Sequence, residues 1–214
     1  MKIGIFGGTY NPPHLGHMAA AKAAIETLHL DKLLLIPDRI PPHKELPENP
    51  VSNEDRLAMT RIMGDRLDCP DVVEVSDLEM HRTGKSYTAD TLRQLREVYP
   101  TDELWLMMGT DMFLTLHSWY QPEEILKRSG ILTFGRNQAD TIDLFDRQTA
   151  FLEATYGTGV RVQVIDLPGL VEVSSTQLRQ ALANGGGQDY LDPSIYGYIL
   201  RKGLYGTHAD MKAL

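Results

Sequence analysis

The chain of 214 residues has a single cysteine, Cys69. Without a second thiol it can form neither an internal disulfide nor a thiolate cluster, so disulfide frameworks and zinc ribbons are excluded, and Cys69 reads as a buried or bystander thiol. Long apolar runs are missing as well. The longest clean one is Leu104 to Met108, far short of the ~20 residues that span a bilayer. The N-terminus shows no basic stretch leading into an apolar one and a cleavage site, and the expectation is a soluble cytoplasmic protein. Positive charge is scarce: 21 Lys and Arg against 29 Asp and Glu leave a net charge of −8. Broad attraction to nucleic acid or an acidic membrane therefore has the wrong sign, and a small anionic ligand must rely on a few local cations in a cleft. The phosphate-loop patterns GxGxxG and GxxxxGK[ST] are absent.

What remains is ordinary globular material, with 42% hydrophobic and 23% charged residues in a chain long enough to bury a sizeable core. Apolar strand-like runs at 2–6, 32–36, 72–75, 103–108, 131–134 and 160–166 alternate with helical patterns at 16–28, 53–67, 89–98, 123–129, 142–155 and 176–183, and a last helix is predicted from Pro193. Ser52 with Asp55 resembles a capping box, Thr88 precedes a helix with Leu92, Leu95 and Val98 on one face, and Pro193 suits a first helical turn. Such alternation predicts an α/β fold, a doubly wound parallel sheet with helices on both faces. One domain over 1–214 is expected, with a small helical part from about 174. Ligands of these sheets bind beyond the carboxyl ends of the strands. The segment Pro37 to Pro50 is long for a connection, and reads either as a functional loop or as a surface excursion stiffened by prolines.

GGTYNPPHLGH, Gly7 to His17, follows the first strand directly. Its glycines suggest a phosphate cradle, yet Pro12 and Pro13 have no N–H to contribute to a nest of amides. Side chains must do more of the binding. His14 and His17, three residues apart at a helix start, can meet where the helix dipole favours anions and donate to phosphate oxygens. They can equally be two histidines packed at a helix end. A metal site is less well supported, since no HExxH pattern or cysteine completes a ligand set.

The stretch GGTYNPPHLGH resembles the GGTFxPxHxGH signature of the HxGH nucleotidylyltransferase superfamily, and VSSTQLR at 173–179 resembles its second signature, ISSTxIR. PPHK at 41–44, SYTADTL at 86–92, GTDMFLTLHSWY at 109–120 and the ending YILRKGLY at 198–205 are similar to segments of the bacterial nicotinate-nucleotide adenylyltransferases. The likeness covers nearly the whole chain. Two positions depart from it: Tyr10 stands where phenylalanine is usual, and Asn11 where aspartate is common.

The resemblance implies a Rossmann-like nucleotidylyltransferase fold and transfer of the adenylyl group of ATP to nicotinate mononucleotide, with Mg²⁺ accompanying the ATP and no metal held by the protein itself. It implies catalytic roles for His14, His17 and Arg179, with His17 at the α-phosphate. The expected ATP set adds Gly7, Gly8, Thr9, Gly109, Asp111, Ser174, Ser175 and Thr176. The expected mononucleotide set is Asn11, Lys44, Thr88, Trp119, Tyr120 and Arg136, with Trp119 stacking on the cationic pyridine ring. Taken alone these residues also have plainer readings: a capping sequence with a surface arginine at 174–179, a core tryptophan, a helix-cap aspartate, and solvated Lys44 and Arg136. Rival functions are an adenylyltransferase acting on nicotinamide mononucleotide or phosphopantetheine, a noncatalytic nucleotide-binding module, and a metal hydrolase. Partners are expected to be small molecules, with no nucleic acid or membrane and with monomer or homodimer left open.

Overall fold

The computed structural model describes residues 1–42, 50–135, 139–157, 159–167 and 174–208. Strands and helices alternate as β1 (Lys2–Gly8), α1 (Leu15–Leu28), β2 (Lys32–Pro37), α2 (Asn53–Arg66), β3 (Val73–Val75), α3 (Thr88–Val98) and β4 (Glu103–Met108). They continue as α4 (Thr110–Leu114), α5 (Pro122–Arg128), β5 (Gly130–Gly135), α6 (Ala139–Tyr156), β6 (Val162–Asp166), α7 (Ser175–Ala183) and α8 (Pro193–Lys202). No described helix is long and apolar enough to cross a membrane.

The strands form one parallel sheet in the order β3-β2-β1-β4-β5-β6, the doubly wound arrangement expected from the alternation. Side-chain period explains why the inner strands are apolar throughout. Phe6, Leu33, Leu35, Trp105 and Met107 face a layer formed by α1, α2, α7 and α8, while Ile3, Ile5, Leu34, Ile36, Leu104, Leu106 and Met108 face α3, α5 and α6. Two cores thus sandwich the sheet, and neither face could turn to water without exposing half of every central strand.

Local signals set most of the helix ends. Ser52 caps α2 by accepting from Asp55 N–H, Pro122 opens α5, and Asp192 caps α8 ahead of Pro193. Thr88 proves to be the first residue of α3, with Tyr87 at the cap. The short α4 has no counterpart in the sequence pattern, because five residues span little more than one turn and show no 3.6-residue repeat.

Candidate active site

From β1 the chain winds outward through β2 and β3, then returns to the other side of β1 as β4. The loops after β1 and β4 therefore part company at one point, and a crevice opens between them. A cavity of about 360 Å³ lies there. The end of β1 and the loop after it supply Gly7, Gly8, Thr9, His14 and His17; the segment after β2 supplies Asp38, Pro41 and Pro42; the segment after β4 supplies Gly109, Thr110 and Met112.

The two histidines are ordered by the helix they start. His14 is the N-cap of α1 and His17 its third residue. Gly16 N–H donates to His14 Nδ1 at 3.1 Å, and His14 N–H donates to His17 Nδ1 at 3.2 Å. Both Nδ1 atoms are thus acceptors, so in each neutral ring the proton sits on Nε2. The ring centroids lie 3.8 Å apart with their planes tilted by 38°, and burial lowers the His14 pKa to about 4. A neutral His14 still donates through Nε2–H. Tyr10 supports the pair from behind, its ring 5.1 Å from His17 and its hydroxyl donating to the Phe6 carbonyl at 2.7 Å. The departure from phenylalanine keeps the ring and gives the extra hydroxyl a buried acceptor.

A buried arginine fixes the floor of this loop. Arg56 on α2 is fully inaccessible. Its Nη1 donates to the Thr9 carbonyl at 2.7 Å and lies 3.2 Å from Asp38 Oδ1, while Nη2 donates to the Arg39 carbonyl at 3.0 Å and to Asn53 Oδ1 at 2.7 Å. Thr9 Oγ1 donates to the other oxygen of Asp38 at 2.9 Å. The guanidinium fork thereby joins the loop after β1, the loop after β2 and the start of α2. Sequence reasoning missed Arg56 and Asp38. Their signals were an arginine at the buried helical spacing of Met59, Thr60 and Met63, and an aspartate just past a strand's carboxyl end.

At the other end of the cavity Ser86, Thr88, Trp119 and Glu79 line the wall. The Thr91 hydroxyl donates to Glu79, Ser86 Oγ accepts from Arg39 N–H at 3.1 Å, and Ser86 N–H donates to the Ile40 carbonyl at 2.9 Å. Burial pushes the Glu79 carboxyl up to about 7, a rise opposed by the Thr91 hydrogen bond and by Arg82. Nothing in the sequence pattern singled out Glu79.

Nine of the expected residues thus meet around the cavity: Gly7, Gly8, Thr9, His14, His17, Thr88, Gly109, Trp119 and Ser175. Others stand apart from its lining. Asp111 is exposed on α4, and the Tyr120 ring is also exposed, packed 4.6 Å from Tyr87. Ser174 caps α7 by accepting from Gln177 N–H. Asn11, Thr176 and Arg179 border a second hollow behind the histidine loop, where Arg179 Nη1 donates to the Asn11 carbonyl at 2.8 Å and Nη2 to Thr176 Oγ1 at 3.2 Å. Lys44 and Arg136 lie outside the described residues. Among the described residues no group of three His, Cys, Asp or Glu side chains is arranged to hold a metal ion.

Residues 5–181 match the model of the Cytidylyltransferase-like family, and the chain belongs to it. Full-length relatives narrow the group. A protein of Carboxydothermus hydrogenoformans is 35% identical over 205 residues, covering 95% of this chain and 98% of its own length. One of Pseudomonas fluorescens is 38% identical over 213 residues, covering 95% of this chain and 97% of its own. Both carry the name probable nicotinate-nucleotide adenylyltransferase, and the chain belongs with them to the nicotinate-nucleotide adenylyltransferases, as its motifs suggested. The structure of Plasmodium falciparum nicotinic acid mononucleotide adenylyltransferase complexed with APC matches with a TM-score of 0.74 over 97% of this chain and 98% of that one; at 17% identity it shows a shared fold.

Proposed function

We propose that this chain transfers the adenylyl group of ATP to nicotinate mononucleotide, forming deamido-NAD and pyrophosphate as a step of NAD biosynthesis. The observation that carries this reading is the pair of closely apposed imidazoles at the start of α1, each with Nδ1 accepting from a backbone N–H, which puts the proton of the neutral ring on Nε2. A phosphate oxygen of nicotinate mononucleotide attacks the α-phosphorus of ATP, and the bond from that phosphorus to the pyrophosphate oxygen breaks. The attacking oxygen is already anionic, so no base is required, and catalysis rests on alignment and on donors that meet developing charge.

His17 donates to the α-phosphate and His14 to its neighbour, with the N-terminus of α1 adding its dipole. Gly7, Gly8, Thr9 and Gly109 border the nucleotide. Ser174, Ser175, Thr176 and Arg179 take the outer phosphates, and Asp111 a ribose hydroxyl. Trp119 stacks on the pyridine ring, with Thr88 and Tyr120 near its carboxylate, and Asn11, Lys44 and Arg136 complete the mononucleotide site. Asp38 and Glu79 are already engaged with Arg56, Thr9 and Thr91, so Mg²⁺ belongs on the ATP phosphates, where it neutralises charge. The whole chain works as one domain, in the cytoplasm, as a monomer or homodimer. Its partners are these small molecules.

The test is pyrophosphate release from Mg-ATP with nicotinate or nicotinamide mononucleotide. Turnover with the acid well above that with the amide is expected, and preference for the amide overturns the substrate assignment. His17→Ala serves as control: loss of one such donor costs ~2.7 to 4 kcal/mol of barrier stabilisation, a drop in kcat of about 10² to 10³, with folding little changed.

A further inference from the structure

The ending YILRKGLY has no part in the reaction just described, yet it reaches the histidine loop. Tyr205 lies 194 residues from Asn11 in sequence, and its hydroxyl donates to Asn11 Oδ1 at 2.7 Å. The backbone carbonyl of the same Asn11 accepts from Arg179 Nη1 at 2.8 Å, across 168 residues. Asn11 is therefore held at both ends of its polar surface, by the C-terminal segment through its side chain and by α7 through its backbone. Three residues later comes His14, the cap of α1.

The backbone at Tyr205 is itself unusual. Its φ is 58°, the left-handed region that a bulky residue rarely occupies. Such a conformation persists only where surrounding contacts impose it. The ring packs against the core that contains Met18, Leu178 and Leu182, and burial of the hydroxyl holds the phenol well above its ordinary pKa. The group is accordingly a permanent donor at neutral pH.

We infer that Tyr205 is a positioning residue: acting through Asn11, it sets where the Arg179 guanidinium stands relative to the His14–His17 pair. If the hydroxyl is lost, the Asn11 amide loses its anchor and the carbonyl that seats Arg179 moves with the loop. The two halves of the nucleotide site, far apart in sequence, then lose a shared reference point. The inference rests on the proposed reading of Arg179 as a phosphate ligand.

Tyr205→Phe removes only the hydroxyl. One neutral hydrogen bond is worth ~0.5 to 1.5 kcal/mol, so kcat/KM for ATP should fall about threefold to tenfold. The circular dichroism spectrum should be unchanged, and the rise in KM for nicotinate mononucleotide, whose site includes Asn11, should stay smaller than the loss toward ATP. Asn11→Ala should give a similar loss that does not add to that of Tyr205→Phe, whereas Asn11→Asp, which keeps an acceptor at Oδ1, should recover most of it. A change smaller than about twofold, or equal losses toward both substrates, overturns the inference. If the wild type releases no pyrophosphate, the proposed reaction fails by itself. Calorimetric titration of wild type and Tyr205→Phe with ATP then still reads the relay: weaker binding by the variant supports it, and equal binding overturns it.

Discussion

Arg56 offers the sharpest test of how the site is held. Its side chain is fully buried and serves four acceptors on three segments: the Thr9 carbonyl, Asp38, the Arg39 carbonyl and Asn53. Arg56→Met keeps much of the volume and removes the charge and every donor. Removing one partner of a buried ion pair typically costs ~3 to 5 kcal/mol, because the desolvated charge left behind has lost its counterion. For a chain of this size that corresponds to a Tm lower by on the order of 10 °C.

Urea unfolding gives the free energy from the midpoint and slope, and the slope shows whether the native state has loosened. Arg56→Lys separates charge from shape: an ammonium keeps the cation but cannot span four acceptors with one planar fork, so it should restore only part of the loss. Asp38→Asn in the Arg56→Met background removes the stranded charge, and the double variant should be less destabilised than the sum of the singles by ~1 to 3 kcal/mol. Since Nη1 holds the Thr9 carbonyl, kcat/KM for ATP should also drop in Arg56→Met at temperatures where it remains folded. A cost below about 1 kcal/mol, or strict additivity with Asp38→Asn, would refute the reasoning.

Two buried groups predict opposing pH effects. His14 has its pKa lowered from 6.5 to about 4, so its contribution is present above pH 6.5 and is lost as pH falls through 4. Glu79 has its pKa raised from 4.5 to about 7, so its contribution is complete below pH 4.5 and is lost as pH rises through 7. Each shift is worth about 3 kcal/mol across its window, and together they flatten the profile of the wild type. Glu79→Gln should therefore gain stability relative to wild type between pH 5 and pH 8 in urea unfolding; a difference independent of pH would show that the carboxyl is not proton-linked. Gly109 has a φ of −72°, and a Cβ built there meets nothing within 4 Å. Gly109→Val should keep its Tm yet bind ATP more weakly in calorimetry, and unchanged affinity would remove Gly109 from the nucleotide site.

The alternation of apolar runs and helical patterns was enough to derive the sheet, because strands buried on both faces must be apolar at every position. The expected strands match β1 to β6 to within two residues at their ends. Motif likeness likewise singled out His14, His17, Thr88 and Trp119, which share one cavity. Less legible were residues whose role lies in what they hold. Arg56 looks like one more charged residue of a polar helix until α2 is packed against the loops after β1 and β2. Glu79 sits in an irregular segment where no periodicity speaks.

By itself, the sequence determined the fold class and excluded a thiolate metal centre, which follow from composition, spacing and short-range pattern, all of them local. The two signatures at 7–17 and 173–179 were legible by resemblance to the superfamily. The tertiary structure alone decided that a buried arginine fixes the loop before the two histidines, and that Asn11 joins α7 to the C-terminal segment. Those outcomes depend on hydrogen-bond distances between segments as much as 194 residues apart, and such distances exist only once the sheet has brought the segments together.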